Sequence, residues 1–274
     1  IRATFHQTVT ATGRLSSVSP NLHNIPVRTE KGKVFREVFV AQKNHRLLVA
    51  DYNQIELRCI AHLSSDQGLI NAFNEGRDIH TATAAQVFGV KDADVTKAQR
   101  EKAKMVSYGL AYGMEAYGLA QRLGIENKEA AKILNDYFSA FPSVKEYMDN
   151  AVNQAKEKGF TETLFGRKRK IPELKSPNSR VRSAAERQAM NAGIQGLAAD
   201  IFKVALVNLN KGLKDDNLNS AIILQVHDEV ILECPMDELA HVEKLTLKEM
   251  ESAFDLKVPL EVHVSSGMTW AEAK

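Results

Sequence analysis

Hydrophobic and polar positions divide the chain into strand-rich ends and a long helical middle. The segments VFREVFVA (34–41) and RLLVADY (46–52) alternate or are continuously apolar, which is typical of strands. The segment AIILQVHDEVILEC (221–234) contains two apolar runs joined by three polar residues, and a last strand is predicted near 258–264. Between these ends, apolar residues at helical spacing run from residue 66 to about 158, with breaks near Gly76, Gly89, Gly124 and Pro142.

The remaining segments complete the predicted order of elements. Residues 12–26 are rich in Ser, Asn, Pro and Gly and are predicted to be loop, whereas residues 53–63 and 235–254 are predicted to be helical. FTETLFGRKRKIP (160–172) is typical of a short hairpin. A long amphipathic helix is predicted from 179 towards 213, with an interruption near Gly193 and Gly196. The pattern therefore predicts a mixed sheet that is closed by both ends of the chain and carries an inserted helical subdomain.

Composition and charge exclude some classes of protein. The chain has 274 residues, a net charge of +2, 44% hydrophobic and 26% charged residues, which is ordinary for a globular protein and allows one large domain or two. It has no signal-peptide pattern and no continuous apolar run of the ~18 residues that a membrane span needs, so we expect no membrane association. Cys59 and Cys234 lie in apolar surroundings without metal-ligand spacing, which predicts buried thiols and a reduced, cytoplasmic compartment. The chain opens on Ile1, and we interpret it as a fragment or a processed piece.

Two basic segments, KAQREKAK (97–104) and RKRK (167–170), are candidates for contact with phosphates. Each one alone is also typical of a solvated protein surface. Because candidate metal-binding carboxylates accompany them, the combination favours a phosphate-rich partner.

Two acidic residues far apart in sequence follow or join predicted strands. Asp51 ends LLVAD and Asp228 lies between two apolar runs. Neighbouring strands are ~4.8 Å apart, so both carboxylates can reach one ion if their strands share a sheet. Mg²⁺ prefers one or two carboxylates together with substrate phosphates, and a pair of such ions can activate an attacking oxygen and stabilise a leaving one. Acids also simply mark strand ends, and the pair does not separate a nuclease, a phosphatase and a polymerase.

A regular row of side chains lies in REKAKMVSYGLAYG (100–113). Arg100, Lys104, Tyr108 and Tyr112 recur every four residues, and each step drifts only ~40° around a helix. Two cations followed by two aromatic rings match a nucleoside triphosphate, which has phosphates at one end and a flat base at the other. The alternative is a solvated basic turn followed by core tyrosines.

Five segments, in this order, resemble sequence blocks of the family A DNA polymerases, the bacterial DNA polymerase I type. They are TGRLSSVSPNLHNIP (12–26), DYNQIELRCIAHLS (51–64), R-x3-K-x3-YG-x2-YG (100–113), AAERQAMNAGIQGLAADI (184–201) and QVHDEV (225–230). The resemblance covers essentially the whole chain. It implies an α+β fold, the right-hand polymerase fold without its thumb, in which a mostly antiparallel palm sheet carries an inserted helical fingers subdomain. The implied limits are palm at 1–65, fingers at 66–185 and palm again at 186–274.

The implied function is that of a template-directed DNA polymerase catalytic core, which adds deoxynucleotides to a primer 3′-hydroxyl by two-metal nucleotidyl transfer. The implied cofactor is Mg²⁺, two ions, and the partners are primer–template DNA and deoxynucleoside triphosphates. We expect a monomer in a bacterial-type cytoplasm. An alternative is a non-catalytic or barely active nucleic-acid-binding fragment, since the family's thumb, proofreading and 5′-nuclease domains would precede Ile1. A two-metal nuclease or phosphohydrolase and a single-subunit RNA polymerase are further alternatives.

The resemblance also implies residue roles. The catalytic residues would be Asp51, Asp228, Glu229 and Lys104. The metal ligands would be Asp51, Asp228 and the backbone carbonyl of Tyr52. The nucleotide-binding residues would be Arg100, Lys104, Tyr108, His80, Glu56, Gln54 and Tyr52. The DNA-binding residues would be Arg14, Asn21, Tyr112, Arg167, Arg187, Asn191, Gln195, Gln225 and His227.

Some of these roles are specific. By resemblance, Lys104 donates a proton to the leaving pyrophosphate, Glu56 excludes a ribose 2′-hydroxyl, and Tyr108 lies under the incoming sugar. Tyr112 would stack in the templating position until a base displaces it. The sequence departs from the family at His23, where Gln is usual, and at Gly193, where Pro is usual; we expect the change at Gly193 to alter local packing only.

Overall fold

The computed structural model describes residues 1–26 and 30–274 of the chain, which form two compact units. The sheet unit consists of Ile1–Ile55, Ala198–Asp255 and Leu260–Lys274, and the helical unit consists of Glu56–Leu197 and Leu256–Pro259. Both ends of the chain thus belong to the sheet unit, and the helical unit is inserted between them. The main boundaries between the two units lie near residues 55 and 197. The three domains proposed from the sequence remain a prediction.

The regular elements of the described residues are short strands and longer helices. The strands are β1 (Thr4–His6), β2 (Ser16–Val18), β3 (His45–Tyr52), β4 (Phe160–Glu162), β5 (Lys168–Lys170), β6 (Ala221–Val226), β7 (Glu229–Pro235) and β8 (Val262–Gly267). The helices are α1 (Glu30–Glu37), α2 (Ile55–Ser64), α3 (Gln67–Asn74), α4 (Ile79–Phe88), α5 (Lys97–Ala111), α6 (Ala116–Leu123), α7 (Asn127–Ala140), α8 (Pro142–Lys158), α9 (Ser179–Asp215) and α10 (Leu239–Glu251).

The main sheet of the sheet unit has the strand order β6-β7-β3-β8 among the described residues, and every neighbouring pair is antiparallel. The central strand β3 is buried from Leu47 to Ala50, which explains why its sequence is continuously apolar instead of alternating. One core cluster joins Leu47 and Val49 to Ile231 and Trp270. The predicted α+β fold with a mostly antiparallel sheet is confirmed.

The helical unit contains α3 to α8 and the hairpin of β4 and β5. Its helices begin and end at the predicted signals: α4 ends at Gly89, α6 ends at Gly124, and α8 has Pro142 at its first turn. Helix α5 begins with a capping box, in which the Thr96 and Gln99 side chains each accept a backbone N–H of the other residue. These end signals therefore place the row of residues 100–112 on a single helix.

The strand predicted at 34–41 is wrong, because residues Glu30–Glu37 form helix α1. Val34 and Phe35 are 55% and 59% exposed, whereas Arg36 is buried and its guanidinium lies 4.3 Å from the centre of the Trp270 ring. The strand prediction assumed that the apolar residues of this segment form its buried face. The structure shows that Val34 and Phe35 do not. The segment pairs only towards its end, where the Ala41 N–H donates to the Met268 carbonyl at 2.9 Å and the Phe39 carbonyl accepts the Trp270 N–H at 3.0 Å.

The interruption predicted near Gly193 and Gly196 is also wrong, because α9 is a continuous helix of 37 residues. Glycine weakens a helix by ~1 kcal/mol relative to alanine, but packing outweighs this cost here, since Ile194 and Leu197 are fully buried. By length and composition α9 alone among the described helices is able to cross a membrane. However, 61% of its most apolar window is buried inside the protein, as in a core helix.

The two cysteines are buried, free thiols, as predicted. Cys59 and Cys234 are both fully inaccessible to solvent. Burial raises the pKa of the Cys234 thiol to about 11, so this group stays protonated and unreactive at neutral pH.

Candidate functional site

The acids predicted to share an ion lie at one edge of the main sheet. In the antiparallel register of β3 and β7, Asp51 is directly opposite Glu229. Asp228 immediately precedes β7, and its carbonyl accepts a hydrogen bond of 3.3 Å from the Tyr52 N–H. Asp51, Asp228 and Glu229 are thus on adjacent backbone segments, although 177 residues separate the first two along the sequence.

The turn between β6 and β7 is held in an unusual conformation. His227 has a φ of +54°, in the left-handed region that non-glycine residues rarely adopt. Its carbonyl accepts a hydrogen bond of 2.5 Å from the Gln225 side-chain amide, and the Gln225 carbonyl is 3.0 Å from His23 Nε2. Arg14 lies beside the turn, with its Nη2 atom 3.5 Å from Asp228 Oδ1. Three predicted DNA-binding residues, Arg14, Gln225 and His227, therefore surround the predicted metal ligand Asp228.

The electrostatics at Asp51 reflect burial first and the neighbouring charges second. Burial raises the pKa of the Asp51 carboxyl above its usual value, the Lys274 ammonium opposes this shift, and the Asp228 charge raises the pKa further. A carboxylate that is partly desolvated beside another carboxylate gains from a bound cation. The Asp51 and Asp228 carboxylates therefore favour a bound cation between them.

Glu229 is held more firmly than the two aspartates. Its side chain is buried, and Oε1 accepts a hydrogen bond of 3.0 Å from the Trp270 indole N–H. Its other oxygen, Oε2, is paired with Lys274 Nζ, which is also 3.8 Å from Asp51 Oδ2. Sequence reasoning missed Lys274 and Trp270; the available signal was that Trp270 is the single tryptophan of the chain.

The donor atoms at this edge fit a hard divalent cation. Asp51 and Asp228 offer carboxylate oxygens, which Mg²⁺ prefers over nitrogen or sulfur. Tyr52 points its ring into the core, where its hydroxyl donates to the Met250 carbonyl at 2.6 Å, so only its backbone carbonyl is a candidate ligand. Among residues 1–26 and 30–274, no group of three or more His, Cys, Asp or Glu side chains is arranged to hold a metal. A small carboxylate set is the arrangement that leaves coordination positions for substrate oxygens and water.

The predicted row of α5 is present in the helical unit. Arg100, Lys104 and Tyr108 lie within α5, and Tyr112 is its C-terminal cap residue. The Arg100 guanidinium donates two hydrogen bonds to Asp78, from Nε at 3.1 Å and from Nη2 at 2.7 Å. Asp78 also caps α4, since its carboxylate accepts the Thr81 N–H at 2.7 Å. These bonds lower the pKa of Asp78, with the Arg100 contact as the largest cause.

His80 is buried beside this row. It belongs to α4, and its ring centre is 5.5 Å from that of Tyr108. Burial lowers the pKa of His80 to about 4, with smaller contributions from the opposing charges of Asp78, Arg100 and Lys104. Its Nδ1 atom is buried and has no hydrogen-bond partner among the described residues. His80 is therefore a neutral imidazole at pH 7, and any contact with phosphate would come from a neutral N–H.

The C-terminal end of α5 is surrounded by predicted DNA-binding residues of α9. Gly113 has a φ of +70°, and a Cβ there would overlap the Asn191 amide nitrogen. The Gln195 side-chain amide donates to the Ala111 carbonyl at 3.3 Å. Arg187 Nη1 pairs with Glu115 at 3.0 Å. Since Arg187, Asn191 and Gln195 are spaced by four residues, they share one face of α9.

The other predicted residues are spread over both units. Gln54 has a φ of +56° between β3 and α2, and Glu56 is a buried acid in the first turn of α2. Asn21 caps a short 3₁₀ helix by accepting the His23 N–H at 3.0 Å. Arg167 follows the turn of the β4–β5 hairpin, where its N–H donates to the Thr163 hydroxyl at 3.3 Å.

Two sets of predicted residues result, one in each unit. The set in the sheet unit is Arg14, Asn21, Asp51, Tyr52, Gln54, Gln225, His227, Asp228 and Glu229. The set in the helical unit is Glu56, His80, Arg100, Lys104, Tyr108, Tyr112, Arg167, Arg187, Asn191 and Gln195. Asp78, which holds Arg100, also lies in the helical unit but was not predicted from the sequence. Its position before a predicted helix is a capping signal.

Known proteins of one family are similar to the chain over almost its whole length. A family model described as DNA polymerase family A matches residues 1–272. The chain is 53% identical to DNA polymerase I of Caldicellulosiruptor bescii and 49% identical to that of Geobacillus stearothermophilus, and all of it aligns with each. It covers 32% and 31% of these two proteins, so it spans about a third of their length.

A solved structure is similar to the fold as a whole. It is the POL domain of Pol1 from M. smegmatis, in complex with DNA primer-template and dNTP. The TM-score is 0.95 at 50% sequence identity, and the match covers all of this chain and 48% of that one.

Proposed function

Because the chain belongs to DNA polymerase family A, we propose that it is the catalytic part of a template-directed DNA polymerase that transfers deoxynucleotides to a primer 3′-hydroxyl. The observation that carries the proposal is the pairing of β3 with β7, which brings Asp51, Asp228 and Glu229 to one sheet edge. The similar Pol1 domain of M. smegmatis, in complex with DNA primer-template and dNTP, supports the same substrates for this chain.

In this proposal, the acids at the sheet edge hold the cofactor. Asp51 and Asp228 would bind Mg²⁺ through their carboxylates, and Tyr52 through its backbone carbonyl. Two bound Mg²⁺ ions would supply Lewis acidity for an attacking and a leaving oxygen. Glu229, which is fixed by Trp270, would keep a negative charge beside them. The chain's own contribution is mainly positioning and charge stabilisation, as is usual in phosphoryl transfer.

The row on α5 would bind the nucleotide. Arg100 would exchange the Asp78 carboxylate for a phosphate, which a guanidinium binds with the same two-point geometry. Lys104 would donate the proton that the leaving pyrophosphate takes up. His80 would contact the triphosphate as a neutral donor, Tyr108 would lie against the sugar, and Glu56 would occupy the space of a ribose 2′-hydroxyl. Gln54 would complete the nucleotide contacts.

The remaining predicted residues would contact primer–template DNA. Arg and Gln side chains hydrogen-bond minor-groove acceptors that look alike on every correct pair, so they test geometry without reading sequence. This role suits Arg14, Gln225 and His227 at the sheet edge and Arg187, Asn191 and Gln195 at the end of α5. Tyr112, whose side chain is exposed, would stack on a base, and Asn21 and Arg167 would contact the strand backbone. We further propose a monomer that works in a bacterial cytoplasm.

The test is primer extension with Mg²⁺, with deoxynucleotides and ribonucleotides supplied separately. Extension with deoxynucleotides only, lost in Asp51→Asn and Asp228→Asn but kept in Asp237→Asn, supports the proposal; Asp237 is an exposed acid of the same unit. Strand cleavage would indicate a two-metal nuclease. Extension with ribonucleotides would indicate an RNA polymerase. DNA binding by fluorescence anisotropy without extension would indicate a non-catalytic binding fragment.

A further inference from the structure

A lysine that the proposed chemistry does not use lies among the proposed metal ligands. Lys274 Nζ pairs with Glu229 Oε2 and is 3.8 Å from Asp51 Oδ2. Its side chain is 39% exposed, whereas that of Glu229 is 3% exposed. The ammonium is therefore at the solvent side of the acid cluster, and the carboxylate that it pairs with is fixed from the interior.

The fold positions this lysine through a well-anchored segment. The Trp270 N–H donates to the Phe39 carbonyl at 3.0 Å, and the Ala273 carbonyl accepts the Ser265 hydroxyl at 2.5 Å. Ala273 is fully buried. A Cβ on Gly267 would lie 2.9 Å from the Ala273 backbone nitrogen. Only glycine at position 267 therefore allows this segment to approach β8 so closely. The backbone at Ala273, next to Lys274, is thus fixed beside β8.

The cation offsets repulsion that the acids would otherwise suffer. Asp51, Asp228 and Glu229 bring three carboxylates to one sheet edge, where their like charges repel one another. A lysine ammonium is a compact charge on a flexible stem, so it can pair with two carboxylates and also swing away. Two other cations are nearby: Arg14 Nη2 lies 3.5 Å from Asp228 Oδ1, and Arg36 is buried and stacked on Trp270.

A divalent ion bound to Asp51 would face the same ammonium at a short distance. An ammonium that stays beside this carboxylate repels a divalent ion bound to it, so binding of the ion is coupled to displacement of the lysine. We propose that Lys274 is a positioning residue that serves as an internal cation: it holds the Asp51 and Glu229 carboxylates in the metal-free protein and gives way when a divalent ion binds. This inference rests on the proposed metal site at Asp51 and Asp228.

The test is Mn²⁺ binding to the whole chain without DNA or nucleotide, measured by electron paramagnetic resonance. Lys274→Met removes the charge and keeps the length of the side chain, and Lys274→Arg keeps the charge. Since an exposed ion pair contributes up to ~1 kcal/mol, Lys274→Met should bind Mn²⁺ about 5-fold more tightly than the wild type. Lys274→Arg should bind it no more tightly than the wild type. The melting temperature supplies a second measurement: Mn²⁺ should raise it more in Lys274→Met than in the wild type.

The outcomes separate this inference from the function on which it rests. Binding that is lost in Asp51→Asn but is equal or weaker in Lys274→Met would overturn the role of Lys274 and leave the proposed metal site standing. Binding that is unchanged in Asp51→Asn would overturn the metal site, and the role of Lys274 with it. Tighter binding in Lys274→Met together with loss in Asp51→Asn would support both.

Discussion

Asp78 holds the Arg100 guanidinium through two hydrogen bonds, at 2.7 and 3.1 Å, and the same carboxylate caps helix α4. The cation proposed to meet a terminal phosphate is therefore already oriented by an anion. A phosphate offers the guanidinium a second, more highly charged partner of similar geometry.

Arg100→Ala should weaken use of the nucleotide. Loss of a charge-assisted contact of ~1.5–3 kcal/mol lowers kcat/KM for deoxynucleotides by roughly 10- to 100-fold. Steady-state primer extension measures this effect. Lys102→Ala is the matched control, because Lys102 lies on the same helix and pairs with Glu129 at 2.7 Å. Equal losses in the two variants would remove Arg100 from the proposed nucleotide site.

Asp78→Asn should lower stability by less than Asp78→Ala. Because Asn still caps α4, Asp78→Asn removes only the exposed ion pair, which contributes up to ~1 kcal/mol. Asp78→Ala also removes the helix cap, which contributes about 1 kcal/mol. Urea unfolding at pH 7 measures both differences.

The effect of Asp78→Asn should also depend on pH. The pKa of Asp78 is lowered in the folded chain, so its contribution is present above the ordinary value of 3.8 and is lost as the pH falls below it. The difference in unfolding free energy between the wild type and Asp78→Asn should therefore shrink below about pH 4. A difference that grows on acidification would contradict the ion pair.

Burial of neutral His80 should make the protein less stable in mild acid. Its pKa is lowered to about 4 from 6.5, so the unfolded chain takes up a proton between these values and the folded chain does not. The wild type should lose roughly 3 kcal/mol at most as the pH falls from 6.5 to 4, and His80→Gln should lose less over this range. NMR titration of the ring gives the midpoint directly, and a midpoint near 6.5 would refute the burial argument.

Gly113→Ala should destabilise the protein more than Gly76→Ala. Both glycines have φ values in the left-handed region, +70° and +65°, where alanine costs ~1–2 kcal/mol. At Gly76 a Cβ meets nothing within 4 Å, whereas at Gly113 it overlaps the Asn191 amide. The difference between the two variants, measured by thermal unfolding, isolates this overlap of ~1–3 kcal/mol. It should fall when Asn191→Ala is added to Gly113→Ala.

The effect of Gly193→Ala on stability should change sign when Tyr147 is replaced by Phe. A Cβ on Gly193 would lie 2.5 Å from the Tyr147 hydroxyl, an overlap that costs ~1–3 kcal/mol. Tyr147→Phe removes that oxygen, and alanine then contributes its ~1 kcal/mol advantage in a helix. We expect destabilisation in the wild type and stabilisation in the Tyr147→Phe background, as measured by urea unfolding. Equal effects in both backgrounds would show that the hydroxyl does not decide the residue at this position.

Much of the fold was predictable because strong local patterns and long-range packing agree. The apolar run of β3 is buried as expected, and Pro142, Gly89 and Gly124 limit their helices where backbone geometry requires it. The prediction failed where local pattern and burial disagree. Val34 and Phe35 are exposed on a helix, and Gly193 lies within α9 because neighbouring side chains are fully buried.

The sequence by itself determined the family, through five ordered motifs, and it determined which acids and which basic and aromatic row were candidates. Only the tertiary structure decided what surrounds them. Lys274 and Trp270 reach Glu229 across more than 40 residues, and Asp78 reaches Arg100 from another helix. Such contacts depend on strand register and helix packing, which no local spacing encodes. Sequence motifs therefore indicate the reacting groups, whereas the groups that orient and neutralise them become visible only when distant segments are brought together.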